Sequence, residues 1–125
     1  MSNQHISAIV TFLFEIQLIT QLYHWKTKSF ARHKASDEFG VVIKSLIDKF
    51  VESYMGKYNV VPNIENINIK YDVLNDDKIS EYYSTCRDKL INFNNHIKKE
   101  DSDLLNIRDE LLAETNKLLY LFTLK

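Results

Sequence analysis

Two glycines, Gly40 and Gly56, and one proline, Pro62, are the only residues of those types in a chain of 125. Sandwiches and barrels need many turns, and turns draw on Gly and Pro. A chain this poor in both folds into a few long helices. Apolar residues make up 45% of it, which suffices for one core and argues against disorder. Residues 1–125 therefore read as a single domain.

Apolar periodicity predicts four helices. The first covers residues 4–25. There Ile6, Ile9, Val10, Leu13, Leu18, Ile19 and Leu22 leave little of the circumference polar, so burial is expected on more than one side. Residues 26–30 form a short connection. The second helix covers residues 31–55, with Ala35, Phe39, Val42, Leu46, Phe50 and Tyr54 at steps of three and four, and Gly56 as its stop. Residues 57–76 hold Pro62, several asparagines and the spaced Ile64, Ile67 and Ile69. They predict a long crossover packed against the bundle, carrying the chain along its length. The third helix spans residues 77–98, with Ile79, Tyr82, Cys86, Leu90, Phe93 and Ile97 in its stripe. The fourth starts at a cap on Asp101 or Ser102 and ends near residue 123, with Leu104, Ile107, Leu111, Leu118 and Phe122 facing inward. The expected fold is an all-α four-helix bundle with a long crossover between helices two and three.

The formal net charge is −1, and residues 1–7 carry no lysine or arginine. No basic surface or arm for nucleic acid is signalled. The single cysteine, Cys86, excludes an internal disulfide and suits a reducing compartment. The start of the chain lacks the basic residues of a secretion signal. Residues 8–25 are apolar but are interrupted by Glu15, Gln17, Gln21 and His24. A membrane span needs about 20 mostly apolar residues, so a buried helix is the better reading. The expectation is a protein that is neither secreted nor inserted in a membrane.

Five residues carry the chemistry: His24, His33, Asp37, Asp48 and Glu52. On an ideal helical wheel counted from His33, Asp37 lies at about 40°, Asp48 at about 60° and Glu52 at about 100°. They share one face, turned away from the core stripe. His33 and Asp37 are one turn apart, as are Asp48 and Glu52, and either pair can hold a metal ion. The two pairs are separated by about 16 Å of helix rise, so one ion cannot touch both in one chain. A twofold axis near Val42 and Ile43 removes the conflict. With a second copy antiparallel, each pair meets its complement and two equivalent sites form. His24 stands across the short turn and adds a second imidazole. Two imidazoles and three carboxylates suit Fe(II), with Mn(II) or Zn(II) as substitutes, and the absence of thiolate argues against a structural zinc. Such a set holds Fe(III) more tightly than Fe(II), which favours oxidation by peroxide or dioxygen.

At these residues the sequence resembles the Dps-like mini-ferritins of the ferritin-like superfamily. The stretch FEIQLITQLYHWKTKSFARHKASDEF is similar to the end of their first helix and the start of their second, with the His24-Trp25 pair of that family. The spacing His33-x3-Asp37-x10-Asp48-x3-Glu52 is similar to their ferroxidase motif, and RDELLAETNKLLYLFTL to their last helix. The resemblance implies a ferritin-like fold and an iron site at a homodimer interface. His24, His33 and Asp37 then come from one subunit, and Asp48 and Glu52 from its partner. It also implies iron oxidation and sequestration, in that family within a dodecameric cage. Three features depart from the pattern. The connection between His24 and His33 is short, the crossover has no clear short helix, and there is no lysine-rich tail for DNA. Among such proteins the chain looks closest to a Dps-like group encoded by large DNA viruses, which implies a cytoplasmic or virion-associated protein.

Plainer readings stand beside these. An acidic stripe on an outward helix face is usually solvated, and His33 with Asp37 can be a simple surface pair. A structural or packaging protein that keeps the dimer without iron chemistry is the alternative function. Glu110 and Glu114 have no accompanying histidine, and His5 and His96 have no partner that the spacing reveals. No Glu-x-x-His occurs, which disfavours a di-iron site inside one bundle.

Overall fold

The computed structural model describes residues 3–125, with the side chains of Asn3 and Gln4 left aside; Met1 and Ser2, part of the uncharged N-terminal stretch, lie outside the described residues. Four helices make up the fold: α1 (Asn3–Lys26), α2 (Phe30–Tyr58), α3 (Ile79–Ile91) and α4 (Ser102–Leu121). No strand occurs among the described residues.

Local chemistry explains where α2 begins and ends. Ser29 has extended backbone, and its hydroxyl accepts a hydrogen bond from the Arg32 amide at 3.2 Å, capping the first turn. At the other end the helix runs through Gly56 to Tyr58. Asn59, with φ 54° and ψ 47°, supplies the left-handed cap, and its amide donates to the Met55 carbonyl. The stop is therefore Asn59 and not Gly56, because asparagine also tolerates that conformation.

α3 is shorter than its periodicity predicts. It ends at Ile91 and continues as a tight turn, Asn92–Asn95. Three asparagines in that stretch offer local side-chain bonds that compete with the helical ladder; Asn95 donates to Asn92 Oδ1 at 2.6 Å. Asp101 precedes α4, yet its carboxylate makes no cap bond. It accepts instead from the Tyr58 hydroxyl, and from Lys57 Nζ at 3.2 Å.

The core draws on all four helices, and three of its stripes depart from expectation. In α2 the buried residues are Ala35, Ser36, Phe39, Ile43, Ile47, Phe50 and Tyr54, while Val42 is 39% exposed. In α1 Ile16 and Tyr23 are buried, and Leu18 faces outward with Phe14 and Trp25. In α3 Tyr83 is fully buried and Tyr82 only partly. The α4 stripe is as expected, with Leu104, Ile107, Leu111, Leu118 and Phe122 all buried. Residues His5–Lys26 are long and apolar enough to span a membrane by length and composition, with mean hydropathy 1.5. Their Ile and Leu face nevertheless packs in this core. Burial pushes the Cys86 thiol up to about 12, which leaves it an inert core residue.

Ring contacts give the directions of the helices. Phe39 packs on Tyr83 and Phe50 on Phe93, so α2 and α3 run parallel. Thr20 bonds Tyr83 at 2.6 Å and Phe12 packs on Phe93, so α1 and α3 run antiparallel. The connection from α2 to α3 must return along the bundle. Near its start the Asn63 amide donates to Ser7 Oγ at 2.9 Å, and near its end Tyr71 lies under Lys26 Nζ. Ser7 to Lys26 is about 28 Å of helix rise, and residues 63–71 reach that far only when nearly extended. Val60, Ile64, Ile69 and Val73 pack against the core along this path. A single tight turn, Tyr71–Leu74, precedes α3.

Two polar latches close the ends. Asp76 accepts from the Tyr23 hydroxyl at 2.6 Å and Thr27 at 2.8 Å, while Arg32 reaches the carbonyls of Asp76 and Phe122. Burial pushes the Asp76 carboxyl up, but these bonds and the Arg32 charge outweigh it and hold it below its usual range. At the opposite end Asp101 is also held low, chiefly by the Tyr58 hydrogen bond and then by Lys57, against burial. Both groups have lower pKa values folded than unfolded. Their contribution is complete above the unfolded carboxyl value of about 4 and is lost as pH falls through the folded values. The melting temperature should therefore be flat from neutral pH to about pH 5 and drop below about pH 4. Asp101→Asn should lower it at pH 7 and flatten that drop, and a pH series of thermal melts checks both.

Candidate metal centre

The end of α1 and the start of α2 hold two of the five candidate residues in a reciprocal clasp. The His24 and His33 rings stack with centroids 3.9 Å apart and planes 18° from parallel. His24 Nδ1 lies 2.8 Å from the His33 carbonyl, and His33 Nδ1 lies 2.8 Å from the His24 carbonyl. A carbonyl only accepts, so each Nδ1 carries a proton. That leaves Nε2 on both rings as the nitrogen able to take a metal, with ring orientation fixed by the backbone. Ser36, buried beneath them, donates to the His33 carbonyl at 3.1 Å.

Asp37 completes this half. Its Oδ1 lies 4.0 Å from His24 Nε2, with the carboxylate side chain 65% exposed and the His24 ring 16% exposed. Asp37 and His24 open on a groove of about 270 Å³, with Leu18, Gln21, Val41 and Lys44 also in its walls.

Asp48 and Glu52 are exposed and lie further along the same helix. α2 is continuous from Phe30 to Tyr58, so the separation of about 16 Å from Asp37 to Asp48 stands. Among the described residues no group of three or more His, Cys, Asp or Glu side chains is close enough to hold one ion. The chain thus brings His24, His33 and Asp37 into one neighbourhood and keeps Asp48 and Glu52 apart from them.

At the level of the expected twofold axis, Ile43 is 1% exposed and points into the core, while Val42 is 39% exposed. Val41, 69% exposed, and Lys44 occupy the outward positions between the two carboxylate pairs. Phe14, Leu18 and Trp25 are exposed on α1.

The remaining histidines are also paired. His5 and His96 stand 91 positions apart in sequence, yet their rings lie 5.4 Å apart by centroid. No periodicity within either helix signals this contact. Glu110 is exposed and Glu114 partly so, on α4.

No curated protein and no solved structure matches the chain. A family pattern does match, from residue 24 to residue 122, and it takes in all five candidate ligands and every helix after the first. The chain belongs to that family, described as a Family of unknown function (DUF5856).

Proposed function

We propose that this chain is a ferritin-like, Dps-type iron-oxidising protein whose metal sites are completed between two copies. The observation that carries the reading is the His24–His33 clasp. It presents Nε2 donors on an outward face, beside an Asp37 carboxylate 4.0 Å from His24 Nε2. That distance is longer than a hydrogen bond, and donors bound to one ion at roughly 2.0–2.2 Å stand about 3–3.5 Å apart, so a small rotation of the exposed Asp37 side chain brings both onto one ion. Nitrogen and carboxylate donors of this kind fit Fe(II), and Mn(II) or Zn(II) as substitutes.

Half a ligand set on an exposed face needs a complement, and α2 carries one in Asp48 and Glu52. An antiparallel pairing of two α2 helices about a point between Val41 and Lys44 brings each half to the other, giving two equivalent sites. The exposed Phe14, Leu18, Trp25 and Val41 supply apolar surface for that contact. Lys44 approaches its own copy there, with Asp37 and Asp48 as the acids nearest in sequence on the same face. The parallel run of α2 and α3, with an extended connection along α1, supports the ferritin-like assignment of the bundle.

In this reading Fe(II) is the substrate. Two Fe(II) ions give up one electron each, and peroxide accepts both and is reduced to water. The protein's part is to hold iron on oriented imidazole and carboxylate groups. Anaerobic addition of Fe(II), followed by peroxide, tests it, with bound metal and mass in solution measured together. Iron-dependent peroxide consumption by a dimer or larger assembly, lost in His33→Ala and in Asp48→Asn, is the expected result. Unchanged turnover in both variants rejects the reading. A stable dimer indifferent to metal and chelator favours the structural or packaging role.

A further inference from the structure

A second pair of imidazoles lies at the far end of α1 from the clasp, and it is independent of the iron reading. His5 is on the first turns of α1, and His96 follows the turn Asn92–Asn95. Their rings are tilted by 58° with centroids 5.4 Å apart. Imidazole nitrogens bind late first-row ions at about 2.0–2.1 Å, and two rings meeting one ion at a tetrahedral angle have centroids about 5 Å apart. The observed centroid spacing is close to that value.

The surroundings select the kind of ion. The rings border a cleft of about 180 Å³ walled by Ala8, Ile9, Phe12 and Phe93, with Asn92 and Lys89 also lining it. No carboxylate or thiolate lines it, so calcium and magnesium, which require oxygen ligands, do not fit. Lys89 Nζ lies over the Phe12 ring, 5.5 Å from its centroid, which holds the ammonium against the ring face. Asn92 Nδ2 lies 3.3 Å from His96 Nε2, and Asn95 in turn holds Asn92. This chain orients the ring, and an ion at Nε2 takes the place of the long Asn92 contact. We propose that His5 and His96 form a two-histidine site for a late first-row divalent cation, Ni(II), Cu(II) or Zn(II), with water in the remaining positions.

The test is a titration of the full chain with nickel chloride, followed by NMR of the imidazole Hε1 signals. His5→Gln and His96→Gln assign those signals, and both positions are exposed, so the variants keep the fold. The expected result is that the His5 and His96 signals broaden together, and that His96→Gln abolishes the broadening of His5. Broadening confined to His24 and His33 overturns the proposal. So does a His5 response that is unchanged in His96→Gln.

Discussion

Neither His33→Ala nor Asp48→Asn should oxidise iron alone, yet the two variants mixed as refolded subunits should recover about a quarter of wild-type turnover. The arithmetic follows from a shared site. In a homodimer of either variant both sites are broken. In a mixed dimer one site collects both lesions, and the other draws His24, His33 and Asp37 from the Asp48→Asn chain and Asp48 and Glu52 from the His33→Ala chain. That site is intact. Random pairing makes half of the dimers mixed, each with one working site of two. A site built within one chain leaves every subunit defective in any mixture, so recovery of nothing would sink the inter-subunit model. Two variants joined on the same half, His33→Ala with Asp37→Asn, should give no recovery, which controls for simple refolding gains. Stopped-flow absorbance after addition of Fe(II) and peroxide reads both mixtures.

The largest stability effect is expected at Arg108. Its guanidinium is buried and bonds the Leu90 carbonyl at 2.8 Å, the Ile91 carbonyl at 3.4 Å, Asn94 Oδ1 at 2.7 Å and Asp109 Oδ1 at 2.8 Å. Leu90 and Ile91 close α3, where the dipole favours a cation, and the Leu90 carbonyl accepts from Arg108 as well as from the Asn92 amide. One side chain of α4 therefore satisfies the end of α3 and ties down the asparagine turn after it. Arg108→Ala removes several charge-assisted bonds at once, two of them to carbonyls at the end of α3, at a cost of about 3 kcal/mol. For a domain of this size that lowers the melting temperature by on the order of 10 °C. Arg108→Lys keeps the charge but not the fork, and should fall between the two. A change smaller than about 2 °C in Arg108→Ala, on a scale where 1 kcal/mol moves the midpoint by several degrees, would show that α3 does not depend on this contact.

Much of the fold was legible because helical periodicity is a local property. The α4 stripe from Leu104 to Phe122 is a clear case: its steps of three, four and seven hold even though Leu105, Leu112, Leu119 and Leu121 adjoin it. The same reasoning failed in the middle of α2. Val41, Val42 and Ile43 adjoin, and counting steps from Phe39 selected Val42, whereas packing buried Ile43 and Ile47 and turned Val41 outward. In α1 Leu18 read as core because few polar residues separate it from the buried set, yet it faces outward with Phe14 and Trp25. Gly56 was the obvious helix stop, but a glycine ends a helix only where the backbone turns left-handed, and that happens at Asn59.

The sequence by itself determined that this chain is helical, that it turns sharply between His24 and His33, and that four candidate ligands share one face of α2. Each of these follows from residue type and a repeat of about 3.6 residues, which neighbours along the chain settle among themselves. Only the tertiary structure decided which nitrogen of each clasped histidine is left for a metal, that His5 meets His96, and that Arg108 closes α3. Those contacts join residues on different helices, and their geometry depends on how the helices pack against one another, which no local pattern encodes.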